Sequence, residues 1–448
     1  MKSLKLVLMG VIAAVGFVPG AYAFHSGGVA ECEGCHSMHN SLEGQANVTG
    51  LPQFTSGPFL LKAQDQSGAC LNCHESPDTA PSGYHISTKG VKIVKQGGDG
   101  THSPVEYTPG GDFGWLKTTR TYAVRNNPTT ADADRQGHNI IAIDFGFTAD
   151  KVQTNAPGGS YPASSLACSS CHDPHGRYRR LADGSQVMTG LPIFGSGSYP
   201  ITGATQGGPS YPVASVSAAG VYRLLGGIGY QPKSLTGNFA FTSPAPDAVV
   251  PSTYNRLEST GQTHVAYGKG MSEWCANCHT SMLENGFTSG MKGLVHPAGN
   301  NAKLTAAIAA NYNAYVSSGK MTNTDPTKAY STLVPFELGT NDYTVLTGLA
   351  VNSDTKDQSA SVTSNVACVS CHRAHASAFE SGTRTYLGNE FITVSDATGA
   401  AAYDGSTTEG KINTGYTVAE QTQAYGGRPA SWFGPYSRNQ CNKCHAKD

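Results

Sequence analysis

Apolar residues are sparse along this chain and seldom recur with a helical or strand period. The clearest helical pattern lies near residue 300, where Asn301 is placed to cap a helix on which Leu304, Ile308, Tyr312 and Tyr315 share a face, with Gly319 beyond its end. Such a stripe predicts core packing. Strand signals are weaker: the best apolar run, Ile140-Ile141-Ala142-Ile143, is too isolated to build a sheet. At the start, residues 1–23 open with Lys2 and Lys5, run apolar over 6–18 and end in Ala21-Tyr22-Ala23. That order predicts a Sec-type secretory signal peptide, too short for a bilayer span, with the mature chain beginning at Phe24. No later stretch is long and apolar enough for a transmembrane helix. The pattern as a whole predicts mostly loop and coil, with short helices and few strands.

Composition gives the reason. With 54 Gly, 24 Pro and 14% charged residues in 448, the chain fits neither a helical globule nor a charged disordered one. Residues 87–162 and 181–270 are rich in Gly, Pro and Thr, and include Thr108-Pro109-Gly110-Gly111-Asp112-Phe113-Gly114-Trp115. Short echoes recur, such as Thr49-Gly50-Leu51-Pro52 and Thr189-Gly190-Leu191-Pro192, but they are too short to establish a duplication.

The cysteines change the picture. All 12 fall in six segments of the form Cys-x-x-Cys-His, at 32–36, 70–74, 168–172, 275–279, 368–372 and 441–445. That spacing is the attachment site of a c-type haem. Cys32 and Cys35, Cys70 and Cys73, Cys168 and Cys171, Cys275 and Cys278, Cys368 and Cys371, and Cys441 and Cys444 would each form two thioethers to one porphyrin. His36, His74, His172, His279, His372 and His445 would reach the irons as proximal ligands. A zinc ribbon would not need a histidine after every second cysteine. No cysteine is left for a disulfide, and six covalently bound haems c (Fe) follow. Each segment should sit on a helical turn. Six porphyrins would supply apolar surface that side chains otherwise provide, so residues 24–448 read as one elongated, haem-threaded multihaem domain with soft internal seams.

The occupant of each iron's second axial position decides the chemistry, since a filled iron passes electrons whereas an open one can bind substrate. Of 15 histidines, nine are not proximal. His39, His175 and His375 each follow a proximal histidine by three residues and are better placed to ligate a neighbouring haem than their own. His138, His296 and His85 sit beside small or apolar residues, as buried ligands do, and His25 stands next to the new N-terminus. His102 and His264 lie in polar surroundings and read as surface residues. Met38 and Met271 are rival ligands that the surplus of histidine makes unnecessary.

Phe24-His25-Ser26-Gly27-Gly28-Val29-Ala30-Glu31 before the first segment, Met38-His39-Asn40 after it, the 108–115 stretch, Met271-Ser272-Glu273-Trp274 and the terminal Ala446-Lys447-Asp448 resemble the OmcS-type extracellular hexahaem cytochromes of Geobacter-type bacteria. The resemblance covers essentially the whole mature chain. It implies bis-histidine ligation throughout, haems stacked in alternating parallel and T-shaped pairs, and polymerisation into a conductive filament or nanowire. It also implies that His39 ligates a haem of the neighbouring protomer, at the 368–372 segment.

Three functions follow from these readings. The first is long-range electron transport by a secreted head-to-tail homopolymer, with other multihaem cytochromes and extracellular metal oxides or electrodes as partners. The second is a discrete soluble carrier or terminal metal reductase. The third, a nitrite-reductase-type enzyme, fits less well, because such enzymes commonly attach an open haem through Cys-x-x-Cys-Lys. An electron-transfer protein rather than an enzyme, with non-specific metal reduction at most, is the expectation. The 30 basic and 31 acidic residues give a formal charge of −1, which loss of Lys2 and Lys5 shifts to −3. No basic stripe points to nucleic acid. Lys443 and Lys447 read as a solvated tail or as neighbours of haem propionates rather than a docking site.

Overall fold

The structure, a computed structural model, describes residues 32–37, 58–76, 85–90, 103–105, 108–124, 127–193, 198, 212–250, 265–284, 296–314, 333–350, 359–404, 412–413 and 416–445. The signal segment and His25, His39, Met38, Tyr315, Gly319 and Lys447 lie outside these.

All six Cys-x-x-Cys-His segments sit on helical turns, as expected. The first, third and fifth are single four-residue turns, Cys32–Cys35, Cys168–Cys171 and Cys368–Cys371. The second and sixth ride on the helices Gln66–His74 and Gln440–Cys444, and the fourth starts at the end of Met271–Cys275 and continues as a turn through Cys278. No helix among the described residues exceeds the nine of Gln66–His74 and Ala306–Ala314, and none is long and apolar enough to cross a membrane. The strands form small sheets of two or three. In one of them Arg120–Val124 pairs antiparallel with both Asn127–Ala131 and Ile412–Asn413, joining the stretch after the second haem segment to the stretch before the sixth.

The helix near residue 300 begins later than its pattern predicts. It spans Ala306–Ala314, and Thr305 rather than Asn301 caps it, its Oγ1 accepting from the Ile308 amide at 3.3 Å. The reason is a competing partner. The Leu304 amide donates to the Ser364 carbonyl and the Val366 amide to the Ala302 carbonyl, which holds 302–304 extended. The stripe is core, as read: Leu304 and Tyr312 are buried and Ile308 packs against the same cluster. The Ile140 run is no strand; Ile140 is buried and the chain then turns through Ile143–Phe145.

The largest apolar cluster gathers Leu71, Phe113, Trp115, Tyr312, Phe379 and Phe433, residues drawn from most of the chain. A second collects Tyr178, Tyr230, Phe241 and Tyr267, with edge-on ring contacts such as Tyr230 to Phe241 at 5.4 Å. Both draw on the glycine-rich stretches between haem segments, which therefore pack rather than merely connect.

Lys443 is not part of a solvated tail. It is 1% exposed, with Nζ 4.3 Å from the Tyr312 ring centroid. The helix Gln440–Cys444 packs on Ala306–Ala314, where Asn311 donates to the Cys444 carbonyl at 3.1 Å, and burial lowers the ammonium to about 7.

Candidate haem centres

Three of the six proximal histidines are held by the same backbone device. At the first segment His36 Nδ1 bonds the Phe59 carbonyl (3.0 Å), the Ser37 amide bonds Leu60 O (2.7 Å) and the Lys62 amide bonds Cys35 O (2.9 Å). At the third, His172 Nδ1 bonds Arg223 O (2.7 Å), the Asp173 amide Leu224 O (2.7 Å) and the Gly226 amide Cys171 O (2.9 Å). At the fifth, His372 Nδ1 bonds Ser381 O (2.8 Å), the Arg373 amide Gly382 O (2.7 Å) and the Arg384 amide Cys371 O (2.9 Å). In each, two successive residues turn left-handed: Phe59 and Leu60, Arg223 and Leu224, Ser381 and Gly382. Five of these are not glycine, and each such residue costs about 1–2 kcal/mol. Strain repeated at three matching places marks a functional constraint. Its product is a fixed ring: a carbonyl on Nδ1 leaves Nε2 free for a metal.

The elbow also ends each short helix. Ser170 and Ser370 reach back to the Ala167 and Ala367 amides to start the turn, and His172 and His372 are then drawn into extended bridges with Leu225 and Thr383. At the fourth segment a different carbonyl serves, His279 Nδ1 bonding Pro157 O at 2.8 Å.

Four of the proximal imidazoles each face a second one. His36 faces His175 with ring centroids 6.3 Å apart, His172 faces His375 at 6.4 Å, His279 faces His138 at 6.0 Å and His445 faces His296 at 6.0 Å. Two metal–nitrogen bonds of about 2 Å, with roughly 1 Å from each nitrogen to its ring centre, span about 6 Å. The residues present therefore fit an iron held between them. The planes lie at 8° in the His36 pair and at 53–68° in the other three. Enclosure lowers His138 to about 4 and His375 to about 3, with the facing His279 and His172 adding to the effect. Both are thus held as neutral imidazoles, the form that binds metal.

The pairing has a register. His175, three residues past the third segment, faces the first; His375, three past the fifth, faces the third. His138, between the second and third segments, faces the fourth; His296, between the fourth and fifth, faces the sixth. A histidine three residues past a segment faces the segment two before it, and a linker histidine faces the segment two after the one that precedes it.

The cysteines repeat the same period. Second cysteines lie within electrostatic reach between segments one and two (Cys35, Cys73) and three and four (Cys171, Cys278), and Cys371 of the fifth lies within reach of both Cys441 and Cys444 of the sixth. First cysteines touch between two and three (Cys70, Cys168) and four and five (Cys275, Cys368). At these last two junctions a serine of the preceding helix accepts the first-cysteine amide, Ser67 for Cys168 at 3.1 Å and Ser272 for Cys368 at 3.0 Å.

His85 is placed differently. It is 1% exposed, Ser76 Oγ lies 2.7 Å from Nδ1 and Asp112 Oδ2 lies 2.8 Å from Nε2, so protein atoms engage both ring nitrogens. Asp112 also accepts from Thr88 and from the Gly114 amide. The same stretch cradles His375, whose amide donates to Gly110 O at 2.7 Å and whose ring stacks on Phe113 at 4.6 Å. Gly111 sits at φ +90°, where a Cβ would fall 1.9 Å from the Ala376 carbonyl oxygen. Met271, the rival ligand, is buried in the second apolar cluster.

No family model matches the chain. It is, however, 53% identical over 449 residues, all of both chains, to the C-type cytochrome OmcS of Geobacter sulfurreducens. The chain belongs to the OmcS-type c-type cytochromes. Two solved structures agree in fold. The OmcS nanowires of Geobacter sulfurreducens, determined by cryo-electron microscopy, match with TM-score 0.82 and 53% identity. The outer membrane cytochrome S filament from Geobacter sulfurreducens matches with TM-score 0.81 and 52% identity. Both cover 95% of this chain and all of theirs. As an OmcS-type cytochrome the chain carries covalently bound haem c, and its six Cys-x-x-Cys-His segments set the number at six.

The elbow carbonyls of Phe59, Arg223 and Ser381 carried no signal in the sequence, since they lie 23, 51 and 9 residues from the histidines they hold.

Proposed function

We propose that this protein is the subunit of an extracellular head-to-tail filament that moves electrons over long distances. The observation that carries the reading is the two-segment register. Continued one step backward, His39, three residues past the first segment, falls to the fifth segment of another copy. In the same register His25, ahead of the first segment, falls to the second segment of its own chain. All six irons then receive two imidazoles. A ligand supplied in trans is a heterologous contact, which generates an open fibre when its rotation does not close. The solved OmcS structures, titled as nanowires and a filament, support this.

Haem c, when bound, supplies reversible one-electron chemistry at iron. The chain's part is to hold and orient it. The twelve cysteines fix each ring, the six proximal histidines fix each metal, and His175, His375, His138 and His296 close the first, third, fourth and sixth sites against substrate. The elbows and the Pro157 carbonyl set ring orientation and raise ligand basicity. Neighbouring cysteines support a reading of residues 24–448 as one domain whose consecutive segments bring their haems into a continuous core. His85 is a structural residue that locks the chain after His74 to Asp112. Reduction of metal oxides at the filament surface follows from electron delivery and requires no open iron.

Substitution His39→Ala tests the reading. The secreted variant is expected to retain six haems per chain, to lose filaments, and to show one high-spin haem. Filaments of unchanged length in the variant would overturn the assignment of His39.

A further inference from the structure

Glu337 is a buried acid that the cysteine and histidine sites do not use. It is 0% exposed, in the apolar sequence Val334-Pro335-Phe336-Glu337-Leu338. Its backbone joins both halves of the junction between the fourth and fifth haem segments. It bridges Tyr267, on the strand Ala266–Lys269 that leads into the fourth, and pairs with Asn365, three residues before Cys368 (Glu337 N to Asn365 O 2.9 Å, Asn365 N to Glu337 O 2.8 Å). Oε1 accepts the Met271 amide at 2.6 Å, at the start of the helix that carries Cys275. Oε2 has no hydrogen-bond partner among the described residues, and neither does Oδ1 of Asn365, itself 0% exposed.

Directly opposed residues of an antiparallel bridge project to the same face, with Cβ atoms about 5 Å apart. Two buried acceptors on one face cost free energy unless a proton lies between them. A neutral carboxyl supplies it, since O–H on Oε2 can donate to Asn365 Oδ1. The surrounding charge favours the same form. Glu273, whose Oε1 accepts the Asn300 amide at 2.8 Å, adds negative charge on the same junction. Cys275 and Cys368 also bear on Glu337, and as thioethers they carry no charge. Lys269, on the adjoining strand, acts on Asp247 instead. Burial, followed by Glu273, lifts the carboxyl to about 8.

We propose that Glu337 is a redox-linked proton-binding residue, taking up one proton from water on Oε2 when the fourth–fifth junction is reduced and releasing it on reoxidation. The balance is one electron, delivered by the donor that already feeds the protein, and one proton per event; the Oε2–H bond forms as an O–H bond of a solvent hydronium or water breaks, and the reverse occurs on reoxidation. Added negative charge in a low-dielectric junction stabilises the neutral acid over the carboxylate. The inference rests on the six-haem reading and adds to it a dependence of electron occupancy on pH.

The test is spectroelectrochemistry and redox-difference infrared spectroscopy of the haem-loaded wild-type protein and of Glu337→Gln, which keeps an oxygen for the Met271 amide. Above pH about 8, where the oxidised protein holds Glu337 as the carboxylate, a protonated-carboxyl stretch should appear on reduction of the wild type. The potential of the pH-responsive component should fall as pH rises through the titration range, by at most a tenfold change in equilibrium constant per pH unit. The variant should lose both while keeping its haem content. A wild type with no carboxyl band, or a variant with an unchanged pH slope, would overturn the proposal. Should the variant fail to load haem, the wild-type band with isotope-labelled glutamate decides alone. A wild-type chain without haem absorbance would instead overturn the cytochrome reading.

Discussion

The first, third and fifth haem segments differ from the second, fourth and sixth in how their short helices end. The odd ones are four-residue turns stopped at once by a left-handed elbow, and the facing histidines at the first and third come from three residues past a later odd segment. The even ones have helices that begin before the first cysteine, and the facing histidines at the fourth and sixth come from the linkers. Short rigid segments and longer helical ones thus alternate, and the cysteine contacts alternate with them. The repeating unit of this protein is a pair of segments, and three pairs make the chain.

The comparison breaks most severely at Gly111, on the stretch that cradles His375. Gly111→Val would drive a side chain into the Ala376 carbonyl at a left-handed position, and is expected to cost at least ~3 kcal/mol. Denaturant unfolding of the haem-loaded protein checks this, and an unchanged midpoint would show that the cradle yields. Next come the facing histidines. His175→Ala should convert one haem to high spin and His138→Ala another, each leaving five low-spin, as read by electron paramagnetic resonance. Of the two, only His175→Ala should remove a rhombic component. The near-parallel planes of the His36 and His175 pair, at 8°, split the iron orbitals in a way that the 53–68° pairs do not.

A smaller effect concerns the fourth–fifth junction. Glu337 has a folded pKa of about 8 against an ordinary 4.5, so the folded chain holds this proton more tightly than the unfolded one. Its stabilising contribution is complete below about 4.5 and is lost as pH rises to about 8. Glu337→Gln should flatten that segment of the stability–pH profile, and a profile with the wild-type slope would count against the burial argument. The smallest effect is at an elbow. Ser381→Gly relieves a left-handed residue at φ 59°, and is expected to stabilise by about 0.5 kcal/mol after the greater chain entropy of glycine is counted. Loss of stability there would mean that the elbow is not strained.

Much of the site was legible because covalent attachment demands a contiguous signature: two cysteines and a histidine in five residues cannot be arranged otherwise. His175, His375, His138 and His296 were legible as candidates, but their partners were not, since pairing across two segments is a property of the fold. His85 shows the limit of local context. Its apolar neighbours Tyr84 and Ile86 look the same whether the ring meets a metal or, as here, Ser76 and Asp112. The helix from Ala306 was visible in its stripe but not in its start, because the bonds to Ser364 and Val366 that hold 302–304 extended come from some 60 residues away. Lys443 read as tail because nothing local announces Tyr312, and Glu337 was passed over although one acid among Val, Pro, Phe and Leu signals burial.

The proposed register, with His39 read onto the fifth segment of another copy, asks a neighbouring chain for the second imidazole of the fifth haem. Cryo-electron microscopy of the purified secreted protein tests it most directly. The account predicts filaments in which His39 of one subunit lies on the iron at the 368–372 segment of the next, with His25 on the iron at 70–74 of its own chain. Discrete particles only, with His39 free or bound within its own chain, would contradict it.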